Sequence, residues 1–182
     1  MIKFESLTAG EWTPHVYPLH FTRERTTQRE RLRVGMRPGS SEPFSLLLPL
    51  LPEPLFLLYV LHTPRGGGAF GRYQSPELSH AEVAAFLSRF ASFLSSDARH
   101  DLWVHSFSAG STLVWDRHDL LYAYGPLEAF IAALRSVGFA TGEVVVPDPH
   151  SHRYHAAFDS QEAALLSALP WHRTDLRPED EQ

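Results

Sequence analysis

The chain has no cysteine, and this absence excludes disulfide staples, thiolate zinc sites and cysteine nucleophiles. It has a single lysine, Lys3, and its other basic residues are all arginine, a bias that by itself assigns no function. Runs of basic residues are also missing, and the formal net charge is −5. We therefore expect no nucleic-acid partner, whereas a basic protein partner suits the sign of the charge.

A long uninterrupted apolar segment is lacking too. Residues 44–61 are rich in leucine and phenylalanine, but three prolines interrupt them between positions 49 and 54. A membrane-spanning helix tolerates such prolines poorly, so we predict two short pieces, 44–51 and 55–62, the second a buried strand. The first ten residues are too polar for a secretory signal. These observations predict a cytoplasmic protein without a membrane partner.

Three helices are indicated in a chain whose 182 residues and 43% hydrophobic content suit one globular domain. Ser79 and Glu82 form a capping-box pattern before apolar residues at helical spacing, which predicts a helix from about His80 to Leu94. A second helix is predicted from Pro126 to the glycine at position 138. A short third helix begins at Asp159 and ends before the proline at position 170.

Short segments of β-type composition lie between these helices without a regular strand–helix alternation. The sequence therefore predicts an α+β fold with a single domain. In this predicted fold, two amphipathic helices cover one face of a mostly antiparallel sheet, and a short helix follows near the C-terminus. We place this domain at residues 1–170 and an acidic tail at 171–182, and we interpret the arginine-rich stretch 22–39 as a loop or an edge hairpin. The predicted strands are Lys3–Leu7, Arg31–Met36, Leu55–His62, Leu102–Phe107, Thr112–Arg117, Leu120–Tyr124 and Glu143–Val146.

The tetrapeptide Arg-His-Asp-Leu occurs at 99–102 and again at 117–120, on either side of a predicted β-hairpin. With a two-residue loop at 109–110, Asp101 lies directly opposite His118. Carboxylates beside imidazoles orient them and raise their basicity, as a general base or a metal ligand requires. A solvated face with cross-strand ion pairs accounts for the same pattern. The candidate catalytic residues are His105, His118, Asp101 and Asp116.

The same face of the predicted hairpin carries two aromatic side chains, Trp103 and Phe107. Aromatic residues next to Asp and His are typical of interface hot spots, so these two and Arg72 are the candidate binding residues. The register also places Asp116 and His118 outside the core. Replacing either of them by alanine is therefore expected to leave the fold intact.

A second group of histidines lies at 148–155, in the sequence Asp-Pro-His-Ser-His-Arg-Tyr-His. In an extended chain His150 and His152 project to the same side, which suits zinc or a similar divalent metal ion. His155 and Asp148 complete the candidate metal-ligand set. The neighbouring prolines are equally consistent with a loop that only exposes the histidines. A meeting of the two histidine groups in space would favour the metal site.

Two motifs match catalytic sequences only in part. Residues 66–71 have the glycine spacing of a dinucleotide-binding loop, but no helix follows at once, so we predict a flexible loop. Residues 105–110 look like a serine-hydrolase elbow, which makes Ser108 an alternative nucleophile. The segment after Gly110 is strand-like, however, and favours a hairpin.

Two functions follow from these residues. The first is a non-catalytic binding domain that uses the hairpin face and the glycine-rich loop to bind, and to neutralise, a basic protein partner. The alternative is a small hydrolase that uses the His/Asp cluster, with a metal ion or with Ser108 as nucleophile. A buried, concave histidine cluster favours the hydrolase, and a flat, exposed face favours the binding domain.

Overall fold

The computed structural model describes residues 1–180. Within them the protein is a single-domain α+β structure built on a nine-stranded sheet, which confirms the predicted fold class. Neighbouring strands of this sheet run antiparallel, except for one parallel pair at an edge. The strands, in order across the sheet, are β10 (Ala140–Thr141), β3 (His20–Arg25), β4 (Glu30–Gly35), β9 (Leu120–Tyr124), β8 (Ser111–Trp115), β7 (His100–Ser106), β5 (Leu55–Leu61), β6 (Gly71–Gln74) and β12 (His172–Thr174).

The main core lies on one face of this sheet, where helices pack against leucines and aromatic residues of the central strands. The capping box forms as predicted, because Ser79 Oγ accepts the N–H of Glu82 while the Glu82 carboxylate accepts the N–H of Ser79 at 2.8 Å. The fourth helix buries Phe130 and Leu134 in the same core. The helices are α1 (Glu42–Leu47), α2 (His80–Arg89), α3 (Ala91–Ser96), α4 (Leu127–Ser136) and α5 (Asp159–Leu166).

A small second sheet covers part of the opposite face. It consists of β11 (His150–His152), β1 (Phe4–Thr8) and β2 (Glu11–Pro14), in that order. The ring of Phe4 belongs to a buried cluster with Val114 of β8, so the small sheet is joined to the large one through apolar contact.

Two predicted elements differ in the structure. The helix expected from His80 to Leu94 is broken at Phe90, whose backbone leaves the helical region (φ −109°, ψ 15°), and it continues as α3. The segment Glu143–Val146 is not a strand. Its alternation of exposed and buried residues arises because Val144 packs on the second face of the sheet, not because a partner strand pairs with it.

The predicted hairpin exists, but its register is shifted by two residues. Ser106 pairs with Ser111, and a four-residue loop replaces the two-residue loop that the sequence predicted. Gly110 closes this loop in the left-handed conformation, with φ of 58°. A shift of two keeps each side chain on its predicted face, yet it changes every cross-strand neighbour. His105 consequently pairs with Thr112.

The glycine-rich loop at 66–71 is held in place, contrary to the flexible loop that was predicted. Glu162 of α5 is fully buried, and its carboxylate accepts the N–H groups of Arg65 (3.0 Å) and Gly66 (2.8 Å). Arg99 donates to the same carboxylate at 2.8 Å. The amides that would cradle a phosphate therefore bind a carboxylate of the same chain.

Part of the predicted acidic tail belongs to the sheet. Strand β12 pairs with β6, and Asp180 is buried in an ion pair with Arg72. The tail's last two residues, 181 and 182, lie outside the described residues. Within residues 1–180, none of the helices is long and apolar enough to cross a membrane.

Candidate metal centre and aromatic groove

Three histidines from two distant parts of the chain meet beside the small sheet. His118 follows β8, whereas His150 and His152 belong to β11. The ring of His118 lies 5.2 Å from that of His150 and 4.8 Å from that of His152, measured between centroids. One ring nitrogen from each histidine lies within 4.8 Å of the other two. This convergence joins the two histidine groups that the sequence showed as separate.

Pairing with the N-terminal strand β1 positions His150 and His152 of β11. Phe4 pairs with His152 in the ladder, and Ser6 pairs with His150. Because alternate residues of a strand share a face, both imidazoles project to the same side. The buried ring of Phe4 packs 5.6 Å from His118 and 5.4 Å from His150, between ring centroids. The apolar ring of Phe4 therefore packs against the histidines.

Asp116 fixes the orientation of the third imidazole. Its Oδ2 accepts the Nδ1–H of His118 at 2.8 Å, and its Oδ1 accepts the backbone N–H groups of His118 and Leu120. A carboxylate only accepts, so Nδ1 of His118 carries a proton, and in the neutral ring the lone pair lies on Nε2. The hydroxyl of Tyr17 also donates to the carbonyl of His118 at 3.1 Å.

The other two imidazoles each have a ring nitrogen that could bind a metal ion. Nδ1–H of His150 donates to the carbonyl of Pro147 at 3.0 Å, which leaves its Nε2 with the lone pair. Nε2 of His152 is buried and has no hydrogen-bond partner in the described chain. Burial is the main cause that lowers the pKa of His152 to about 3. The ring is therefore neutral at pH 7, the form that binds metal ions.

The structure leaves two predicted ligands outside this group. His155 is directed elsewhere, since its Nε2–H donates to the carbonyl of Ile2 at 2.8 Å and its backbone N–H donates to Asp97 at 2.7 Å. Asp148 is exposed in the loop before β11 and is not one of the three converging residues.

The two-residue shift in register moves Asp101 away from its predicted position directly opposite His118. Asp101 accepts the Nε2–H of His62 at 2.9 Å and the backbone N–H of Arg117 at 2.9 Å. Burial raises the pKa of Asp101, and the hydrogen bond from His62 opposes that rise. Sequence reasoning missed His62, whose only signal was its place at the end of a predicted strand. Asp101 thereby holds the turn that carries His118.

The prediction that Asp116 and His118 lie outside the core is wrong. They are only 2% and 8% exposed. The reason is that the turn after β8 is covered by the small sheet, an interaction between distant segments that a hairpin considered alone cannot reveal.

His105 lies in a second site, a groove of about 260 Å³ on the same face of the large sheet. Its Nδ1 is 2.8 Å from the hydroxyl of Thr112, and its ring is 4.4 Å from that of Phe107, between centroids. The three candidate binding residues, Trp103, Phe107 and Arg72, all line this groove. The structure thus separates His105 from the other candidate catalytic residues and brings it to the binding residues.

The elbow interpretation of residues 105–110 is wrong. The chain runs strand, turn, strand, whereas a nucleophile elbow lies between a strand and a helix. Ser108 is exposed in the turn, and its hydroxyl lies 3.1 Å from that of Ser106.

Comparisons of the chain with protein-family profiles, curated proteins and solved structures found no match.

Proposed function

We propose that this protein binds a divalent transition-metal ion, zinc or a close analogue, and uses it to activate water as a small hydrolase. The observation that supports the metal is the convergence of His118, His150 and His152, with one nitrogen of each within 4.8 Å of the others. Two of these rings are held through Nδ1 by an oxygen acceptor, which leaves Nε2 free to bind.

The number of ligands favours catalysis over a structural role. Structural zinc sites are closed by four protein ligands, whereas catalytic sites use three and leave a position for water. A zinc ion bound to three imidazoles lowers the pKa of its water to about 7, which supplies hydroxide at neutral pH. Asp116 would make His118 a more basic metal ligand and would keep its proton on Nδ1, so that Nε2 can bind the metal ion.

The first experiment is a calorimetric titration of metal-free protein with zinc. We expect one zinc ion per chain, and we expect the double variant His150→Ala/His152→Ala to lose this binding. His172→Ala is the matched control, because His172 is exposed on β12 outside the converging group. Stoichiometric zinc binding that survives in the double variant would contradict the proposed ligands, as would an absence of binding in the natural chain.

The second experiment tests the reaction. Zinc-loaded protein is assayed against nitrophenyl esters and phosphoesters, and turnover is expected to disappear with a chelator and in the double variant. Zinc binding without turnover of any of these substrates would contradict the hydrolase and leave a metal-binding protein. The cytoplasmic location and the basic protein partner stay predictions from the sequence.

A further inference from the structure

We infer that the groove beside Trp103 binds a small planar aromatic anion, such as an aromatic carboxylate. The groove contains none of the three converging histidines, so this inference does not depend on the metal centre. Three observations support it: the size of the groove, its walls and the sign of its charged groups.

The size and walls of the groove point to a planar ligand. Its volume of about 260 Å³ is just below the range of ordinary small-molecule sites, which leaves space for one or two fused rings. Phe56, Trp103 and Phe107 supply aromatic surface, and the rings of Phe56 and Phe107 meet edge to face at 4.9 Å. Phe107 is 65% exposed, so its ring is accessible to a ligand in the groove.

The charged groups point to an anion. Among residues 1–180 the ionisable residues that line the groove are Arg29, Arg72 and His105, while Glu179 lines a neighbouring pocket that also contains Arg29. The lining therefore carries two arginines, although the chain as a whole has a net charge of −5. Arg72 is already neutralised by Asp180.

Arg29 is the cation that remains for a ligand. Its guanidinium stacks over the ring of Tyr124 at 4.5 Å and donates to the carbonyl of Gly110 at 2.9 Å. In residues 1–180 it forms no ion pair with a carboxylate. Stacking fixes the planar guanidinium of Arg29 at the edge of the groove and leaves some of its N–H donors for an anionic oxygen of the ligand.

The test compares three ligands with the same ring and different charge, titrated into metal-free protein by calorimetry. Indole-3-acetate is expected to bind with a Kd of about 1 mM or lower. Neutral indole is expected to bind about fivefold more weakly, and cationic tryptamine more weakly still. Equal affinity for the three ligands would overturn the inference, and so would an absence of indole-3-acetate binding.

Two exposed positions allow variants that do not threaten the fold. Arg29→Gln is expected to weaken indole-3-acetate binding about fivefold and to leave indole binding unchanged. Phe107→Ala is expected to weaken both, and Arg135→Gln, an exposed arginine on α4, serves as the control. The inference would be overturned if both groove variants bound indole-3-acetate as tightly as the natural chain does. Zinc binding should be unchanged in all of them, so failure of the groove and failure of the metal centre are distinguishable.

Discussion

Asp116 accepts three hydrogen bonds, two from backbone N–H groups and one from an imidazole. The backbone contacts shape the turn after β8, and the imidazole contact sets the tautomer of His118. An asparagine can keep the backbone contacts, because its amide oxygen is also an acceptor. The two roles of this residue can therefore be separated by one substitution.

For Asp116→Asn we expect zinc affinity to fall about 10- to 100-fold. The amide would either donate to Nδ1 of His118 or hold the imidazole poorly. In both cases the lone pair is no longer fixed on Nε2. Competition with a zinc-binding dye measures this affinity. Asp175→Asn is the control, because Asp175 is 88% exposed at its side chain and lies outside the converging group. Natural affinity in the first variant would show that the carboxylate has no part in metal binding.

His100 is a buried titratable residue away from both sites. Its ring lies between those of Phe93 and Tyr59, 4.7 Å and 5.1 Å away between centroids. Burial, reinforced by the charges of Lys3 and Arg99, lowers its pKa well below the ordinary value of 6.5. The folded protein therefore keeps this ring neutral at a pH where the unfolded chain takes up a proton.

This difference in proton binding predicts loss of stability in acid. Below about pH 6.5 the free energy of unfolding should fall by about 1.4 kcal/mol per pH unit because of His100. His100→Phe keeps an aromatic ring and removes the titration. Urea unfolding from pH 7 to pH 5 should therefore show a shallower pH dependence in the variant. Parallel curves for the two proteins would exclude this residue as a cause of acid sensitivity.

At the level of elements, helix α5 and the glycine-rich loop are joined by Glu162. Its buried carboxylate accepts three backbone N–H groups of the loop, from Arg65, Gly66 and Gly68, and also pairs with the buried guanidinium of Arg99. Buried charges are tolerated only where they are paired and hydrogen-bonded. This contact therefore connects a helix, a loop and the start of a central strand.

Glu162→Gln is expected to lower the free energy of unfolding by about 3–5 kcal/mol, because it removes one member of a buried ion pair and turns an amide donor toward backbone donors. Urea unfolding at pH 7 measures the loss. Glu128→Gln on α4 is the matched change at the surface, where the Glu128 side chain is 80% exposed beside Arg23, and should cost about 1 kcal/mol or less. Equal effects of the two substitutions would contradict the role of Glu162.

For the whole molecule, the proposed metal centre joins segments that are distant in the chain. His118 lies between two strands of the large sheet, while β11 is attached to the N-terminal strand of the small sheet. Since these segments come together only in the folded state, a metal ion that binds all three histidines favours folding.

Zinc should accordingly raise the thermal stability. At a free concentration of 100 times Kd the stabilisation is about 2.7 kcal/mol, which corresponds to a rise in Tm of roughly 5–10 °C for a chain of this size. Differential scanning calorimetry with and without zinc measures the shift. The double variant His150→Ala/His152→Ala should show none, and a shift of the same size in that variant would mean that zinc stabilises the protein through other residues.

The sequence could predict elements whose signals are local. The capping box of α2, the amphipathic pattern of α4 and the apolar strand at 55–61 each depend on residues a few positions apart. The hairpin shows where such signals end. Its two faces followed from alternation, but its register depended on whether the loop had two residues or four, and both loops suit the residues around Gly110.

What the sequence by itself determined was the fold class, with one sheet face covered by helices, because hydrophobic periodicity is a property of neighbouring residues. What only the tertiary structure decided was which side chains meet. His118 joins His150 and His152 because β1 pairs with β11, and His105 lies with Trp103 because of the hairpin register. Both sites depend on contacts between segments far apart in the chain, and the pattern of one segment does not specify its distant neighbours.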